Sequence, residues 1–161
     1  MNEPERRLIA TRVEYRAACQ EVLELAAREI CVFDADLEQY DLGHTAQIAT
    51  LAAVLRANRE HTLHIALHDT RYVERRCPRL LALLQQFPLQ VAIHRTLDEA
   101  RRAQDSFVLA DRKHVARKPV AAQSRGVLLR DDPLEGQGMR ERFAQIWAAS
   151  EAAFGASTLG L

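Results

Sequence analysis

Six side chains able to act as acid, base or phosphate partner fall at the downstream ends of three apolar runs. Asp34 and Asp36 close "EICVFDAD", His68 and Asp69 close "HTLHIALHD", and His94 and Arg95 close "LQVAIHR". If those runs are parallel strands, the six share one edge, because ligands of open α/β sheets bind beyond the carboxyl ends of the strands. Carboxylates beside imidazoles can pass protons, and an arginine can neutralise a phosphoryl oxygen. That set would suit phosphodiester chemistry. The plainer reading of His68 and His94 is a pair of strand-end residues hydrogen-bonded to loops.

His61, His64 and His68 also invite a metal reading, since imidazole is a common zinc or nickel ligand. On a helix all three would share a face. On a strand His64 and His68 share a face about 13 Å apart, from ~3.3 Å per residue, and His61 points the other way. No metal is expected there, and no cofactor: the six glycines form no phosphate-cradling loop, and no nucleophile-elbow spacing supports Ser/His/Asp catalysis.

Two basic clusters complete the inventory. Arg101 to Lys118 holds six Arg or Lys residues and His114 against Asp105 and Asp111, while Arg71, Arg75, Arg76 and Arg79 are offset by Glu74. Arg112, Lys113, Arg117 and Lys118 are the candidate phosphate contacts in the first cluster. Both clusters also read as solvated faces.

The elements that must position these residues follow from periodicity. Asn2, Pro4 and Glu5 look like a helix start, and the spacing of Ile9, Val13, Cys19, Val22, Leu23 and Ala26 predicts one helix over 4–28. A core over 29–154 follows. "EICVFD" is a strand, and Thr45 caps a helix with Ile48, Leu51, Ala52 and Leu55 inside. "TLHIALH" is a strand, and Pro78 opens a helix carrying Leu80, Leu81, Leu83 and Leu84. "LQVAIH" is the third strand, and "TLDE" boxes a single helical turn. "SFVLA", "HVARK" and "GVLLR" are strands too close together for crossovers, so they add antiparallel pairs. A last helix keeps Met139, Phe143, Ile146, Trp147 and Phe154 on one side. The expectation is one α/β domain over 1–161, with a mixed, mostly parallel sheet and helices on both faces.

Composition narrows the class. With 161 residues, 48% hydrophobic and 27% charged, the chain has length for one core and shows neither a disordered nor a membrane composition. No apolar run approaches the ~20 residues of a membrane span, and the charged start lacks a signal peptide's apolar stretch. Cys19, Cys31 and Cys77 are odd in number with no CxxC spacing, which fits a cytoplasmic protein without a disulfide framework. Net charge is zero, so no global field gathers nucleic acid, and 6% aromatics leave little for base stacking.

The order of elements, together with "RGVLLRDDPLEGQGMRERFAQIWAAS", resembles one half of a phospholipase D-like protein, over roughly Glu14 to Ser150. The likeness lies in a closing strand, then Asp132-Pro133, then a helix with Phe143 and Trp147 four residues apart. That superfamily's catalytic signature is H-x-K-x-x-x-x-D: a histidine attacks phosphorus, a lysine neutralises its oxygens and a second histidine protonates the leaving group. Aligning the acid on Asp111 puts Gln104 at the histidine place and Ser106 at the lysine place. Glutamine is no nucleophile and serine brings no charge. The resemblance therefore implies a non-catalytic module that binds a protein partner or a phosphate-bearing ligand. A phosphodiester hydrolase with a relocated site and a nucleic-acid binding protein are the alternatives. Because the superfamily's active site lies between two halves, it also implies a homodimer, joined near the sheet edge where Gln104 and Ser106 begin their strand.

Overall fold

The computed structural model describes residues 3–40 and 42–154. In chain order the elements are β1 (Glu5–Ile9), α1 (Arg12–Leu25), β2 (Glu29–Asp34), α2 (Thr45–Ala57), β3 (Thr62–Leu67), α3 (Arg71–Arg76) and α4 (Pro78–Gln86). They continue with β4 (Val91–Thr96), a 3-10 turn (Asp98–Arg102), β5 (Ser106–Ala110), β6 (His114–Lys118), β7 (Gly126–Arg130), α5 (Pro133–Ala148) and β8 (Ser150–Ala152).

The strands form one sheet in the order β1-β7-β6-β5-β2-β3-β4-β8. Only β2–β3 and β3–β4 run parallel, each joined by a helical crossover. The pairs β1–β7, β7–β6, β6–β5, β5–β2 and β4–β8 are antiparallel. The sheet is thus mixed but mostly antiparallel, which corrects the expectation of a mostly parallel one. The strands after β4 were already expected to add antiparallel pairs; the edge strands β1 and β8, unmarked in the sequence, and the antiparallel β2–β5 ladder tip the count.

Alternation along the central strands builds two cores. Ile30 and Val32 of β2 face α1, α2 and α4 together with Leu63, Ile65 and Val108. Cys31 and Phe33 face α5 with Phe107, Leu109, Met139, Phe143 and Ile146. Gly136 lets α5 lie close to the sheet's hairpin, since a Cβ there would lie 1.9 Å from the Arg112 carbonyl oxygen. Phe154 leaves the α5 face after β8 and packs in the opposite core, so the apolar side of the last helix ends at Ile146 and Trp147.

The stretch expected as one helix over 4–28 divides in two. Glu5–Ile9 is an edge strand whose partner β7 supplies the hydrogen bonds, with Glu5 opposite Arg130 and Ile9 opposite Gly126. The helix starts at Arg12 behind Thr11, whose hydroxyl accepts from the Glu14 amide at 3.1 Å while Glu14 accepts from the Ala10 amide at 3.2 Å. Thr11 to Glu14 is a capping box, and it prevails over the Asn2–Glu5 one because β1 is claimed by a distant strand. The turn at "TLDE" is present, but Leu97 caps it and the Thr96 hydroxyl goes to His68 instead.

β5 lies in the interior of the sheet, between β6 and β2. The sheet edges are β1 and the three-residue β8, so an exposed edge at Gln104 and Ser106 is not there for a second copy to cover.

Candidate functional site

β5 runs antiparallel to β2, so its first residues arrive where β2 and β3 end. There the segments 34–39, 101–105 and 120–122 line an open cavity of about 530 Å³. Its polar wall is Asp34, Asp36, Gln39, His68, Arg101, Gln104 and Asp105, and Ala35, Ala103, Val120, Ala121 and Ala122 supply an apolar one.

Each acid of this wall has a partner. Asp34 is buried, and its Oδ2 accepts from the amides of Asp36 at 3.2 Å and Leu37 at 2.8 Å. That turn places Leu37 in the left-handed region, at φ 71°, with its side chain buried in the core. Asp36 accepts from the Glu38 amide at 2.9 Å, and Asp105 takes both ends of the Arg142 guanidinium at 2.7 and 2.6 Å. His68 is held at both nitrogens. The Ala103 carbonyl, 2.7 Å from Nε2, can only accept, so Nε2 carries the proton, and in the neutral ring Nδ1 accepts from the Thr96 hydroxyl at 2.6 Å. Its ring stands edge-on to Phe33. A side chain so engaged is built into the wall.

The other sequence candidates lie apart. Asp69 binds Arg71 on the surface, and those hydrogen bonds pull its carboxyl down to about 2. Arg95 pairs with Glu151 at 2.8 Å. His94 turns to the α5 face, where Nδ1 bonds Ser150 Oγ at 2.8 Å and the ring stacks on Trp147 at 3.6 Å. His68 and His94 therefore do not converge. Arg112 reaches Glu29 at 3.3 Å, Lys113 lies 4.0 Å from Asp131, and Arg117 lies 4.0 Å from Glu135. Of the four candidate phosphate contacts only Lys118 approaches the cavity.

Lys118 lies directly across the β5–β6 ladder from Ser106. Opposed residues of an antiparallel pair project to the same face with Cβ atoms about 5 Å apart. Both are buried, at 0% and 1% exposure. Ser106 Oγ meets the Tyr40 hydroxyl at 2.5 Å, and Tyr40 meets the Tyr15 hydroxyl at 3.0 Å. Lys118 Nζ sits 4.6 Å above the Tyr15 ring and donates to Gln39 Oε1 at 3.1 Å and to the Ala121 carbonyl at 2.9 Å. Burial lowers its pKa, against the field of Asp34. Burial likewise raises both tyrosines and pushes the nearby Cys19 thiol up to about 12. Ser106 thus belongs to a sealed hydroxyl network, and the ammonium beside it comes from the adjacent strand.

Gln104 lies at the cavity itself. Asp111 lies at the far end of β5, where its carboxylate accepts from the amides of Ala27, Arg28 and Glu29 at 2.8, 2.8 and 2.9 Å. With Arg112 it forms a turn of two left-handed residues, φ 52° and 58°, closed by Lys113 N to Ala110 O. It is a clamp on the α1–β2 connection. Sequence reasoning did not single out Gln39, Tyr15 or Tyr40, and it counted Arg101 only within a basic cluster. Tyr15 carried a signal, as a large polar ring at a helical core position, but Tyr40 and Gln39, in the polar stretch "EQYD", carried none.

Among the described residues no group of three or more His, Cys, Asp or Glu is placed to hold a metal, and no helix is long and apolar enough to cross a membrane. A search of curated proteins finds no match. Solved structures match across most of the chain. Nuc from Salmonella typhimurium, described as a phospholipase D family member, has a TM-score of 0.63 at 13% identity, covering 95% of this chain and all of that one. NucT from Helicobacter pylori has a TM-score of 0.57 at 14% identity, with 93% and 99% covered. TrmBL2, described as an archaeal chromatin protein with a novel mode of DNA binding, has a TM-score of 0.65 at 14% identity, and the match spans 91% of this chain and 53% of that one. The fold is phospholipase D-like. By sequence, the match over residues 11–155 shows that the chain belongs to the family described as a domain of unknown function, DUF7931.

Proposed function

We propose that this chain is a non-catalytic phospholipase D-like module that holds a phosphate-bearing ligand in the cavity beyond β2 and β3. The observation that carries this reading is the state of the lysine place: Ser106 is fully buried and hydrogen-bonded to Tyr40, so no cation stands there to meet a reacting phosphoryl group. Gln104 at the cavity offers hydrogen bonds but no nucleophile. The relocated-hydrolase alternative loses support because His68 and His94 face different surroundings. Three buried free thiols accord with a cytoplasmic protein.

Purified protein should turn over generic phosphodiesters no faster than a Gln104→Ala control, while inorganic phosphate or a short phosphodiester binds and shifts residues of the cavity wall. Turnover that survives Gln104→Ala and disappears in His68→Ala would replace this reading with the hydrolase.

A homodimer is part of the proposal. Its support is that the fold corresponds to nearly the whole of the Nuc and NucT chains. Light scattering over a dilution series would show a monomer at every concentration if this is wrong. A nucleic-acid role is the second reading, favoured by the likeness to a chromatin protein described as binding DNA. It requires affinity that falls steeply with salt, from counterions released at several phosphate contacts.

A further inference from the structure

The geometry points to Gln39 as the side chain that grips an oxygen of the ligand, fixed in a donating orientation by Lys118. This inference rests on the reading of the cavity as the site of a phosphate-bearing ligand.

An ammonium can only donate. Its 3.1 Å contact with the Gln39 side chain therefore falls on the carbonyl oxygen, which settles the direction of an amide that would otherwise be free to flip. The Nε2 end remains, and among the described residues no acceptor takes it. Gln39 is exposed and lines the cavity, so two N–H donors are left for a ligand. Lys118 itself is saturated from below and behind, by the Tyr15 ring at 4.6 Å and the Ala121 carbonyl at 2.9 Å. No carboxylate of the described residues lies within ion-pair distance of it, and Asp34 acts on it only at longer range. Its charge is therefore passed into the amide, and a hydrogen bond polarised by an ammonium is a stronger donor at its other end. Arg101 also lines the cavity and brings a second donor group, while Asp105 is neutralised by Arg142 and does not compete for it. These donors suit an acceptor-rich group such as a phosphoryl group, against the charges of Asp34 and Asp36, whose carboxylates are held by backbone amides. Lys118 is a positioning residue in this arrangement, reaching the ligand through Gln39.

Gln39→Glu separates this role from a structural one. The carboxylate keeps the contact with Lys118 as an ion pair, so the fold holds or gains stability, yet it presents the cavity with acceptors only. Titrations with inorganic phosphate and with a dinucleoside monophosphate, followed by amide NMR, should move the Gln39 side-chain amide of the wild type. The arm that binds tells free phosphate from a phosphodiester. Gln39→Glu should bind about tenfold more weakly or worse, the loss of one charge-assisted hydrogen bond, with no fall in melting temperature. Lys118→Met, which leaves the amide but removes its tether, should weaken binding by a smaller factor. If wild type binds and Gln39→Glu binds equally well, this inference fails and the phosphate-site reading stands. If wild type binds neither probe, both fail.

Discussion

Replacing Asp111 by alanine should cost stability and leave ligand binding alone. The carboxylate accepts three backbone N–H groups at 2.8 to 2.9 Å from Ala27, Arg28 and Glu29, the connection that feeds β2 into the middle of the sheet. Hydrogen bonds to a charged group contribute ~1.5–3 kcal/mol each, but they are not additive and two of these amides belong to exposed residues that water can serve. The Glu29 amide is less accessible, so roughly one full bond and part of two others are lost. Asp111 also adopts φ 52°, which aspartate tolerates better than alanine by about 1 kcal/mol. The sum is about 3 kcal/mol. Asp111→Asn keeps the turn and some of the accepting oxygens, and should cost about half as much. Urea unfolding measures this directly: with a slope of ~2 kcal/mol/M, the alanine variant moves its midpoint down by about 1.5 M at unchanged slope. An Asp111→Ala protein that unfolds like wild type would refute the clamp, and a loss of ligand affinity without loss of stability would return the residue to the site.

The helix α5 supplies a matched pair of glycine tests. Gly136→Ala should destabilise severely, since its Cβ would lie 1.9 Å from the Arg112 carbonyl oxygen, whereas Gly138→Ala meets nothing within 4 Å and should stabilise by about 0.5–1 kcal/mol; equal melting temperatures for the two would contradict this packing. Stability should fall as the solution is acidified below about pH 6.5, the ordinary histidine value. Burial lowers the pKa of His64, His94 and His114, with Arg140 also lowering His64 and His64 also lowering His94, while Glu29 and Asp131 oppose the shift at His64 and His114. The unfolded chain then binds more protons than the folded one through this window, so their contribution is present above it and is lost as pH falls through the depressed folded values. The chain's single tryptophan, Trp147, stacks on both His64 and His94 and reports the transition by fluorescence; a flat melting temperature between about pH 7.5 and pH 5 would contradict the assignment. Arg142→Met should loosen segment 101–105 by freeing Asp105, seen as faster amide exchange there and not in β2.

The layered α/β plan was legible because the central strands obey period two over both faces, as Ile30 and Val32 do against Cys31 and Phe33. Strand direction was less so. Nothing local in "ERRLI" names β7 as its partner, and helical spacing of Ile9 and Val13 carried the reading past Thr11, although Thr11-Arg-Val-Glu14 wrote the true start in plain capping chemistry. The β5–β6 and β6–β7 pairs were legible as antiparallel from their short connections, whereas the β1–β7 and β4–β8 edges and the β2–β5 ladder are defined only by tertiary contact.

Asp34, Asp36 and His68 come together at the cavity, at strand ends marked by where each apolar run stops. Asp69, His94 and Arg95 share that marking and lie away from the cavity, because adjacent residues on a strand face opposite ways and a neighbour such as Trp147 or Glu151 can claim a side chain. The deeper difficulty is register. Ser106 and Lys118 are twelve positions apart, and only the β5–β6 ladder makes them partners. Read along one strand, Ser106 brings no charge; read across two, it stands beside a buried ammonium. The Tyr15 ring, Gln39 and the Ala121 carbonyl enclose that ammonium. Its contact with Gln39 Oε1 orients an amide at the cavity wall, a relation between three segments of chain that no single stretch of sequence displays.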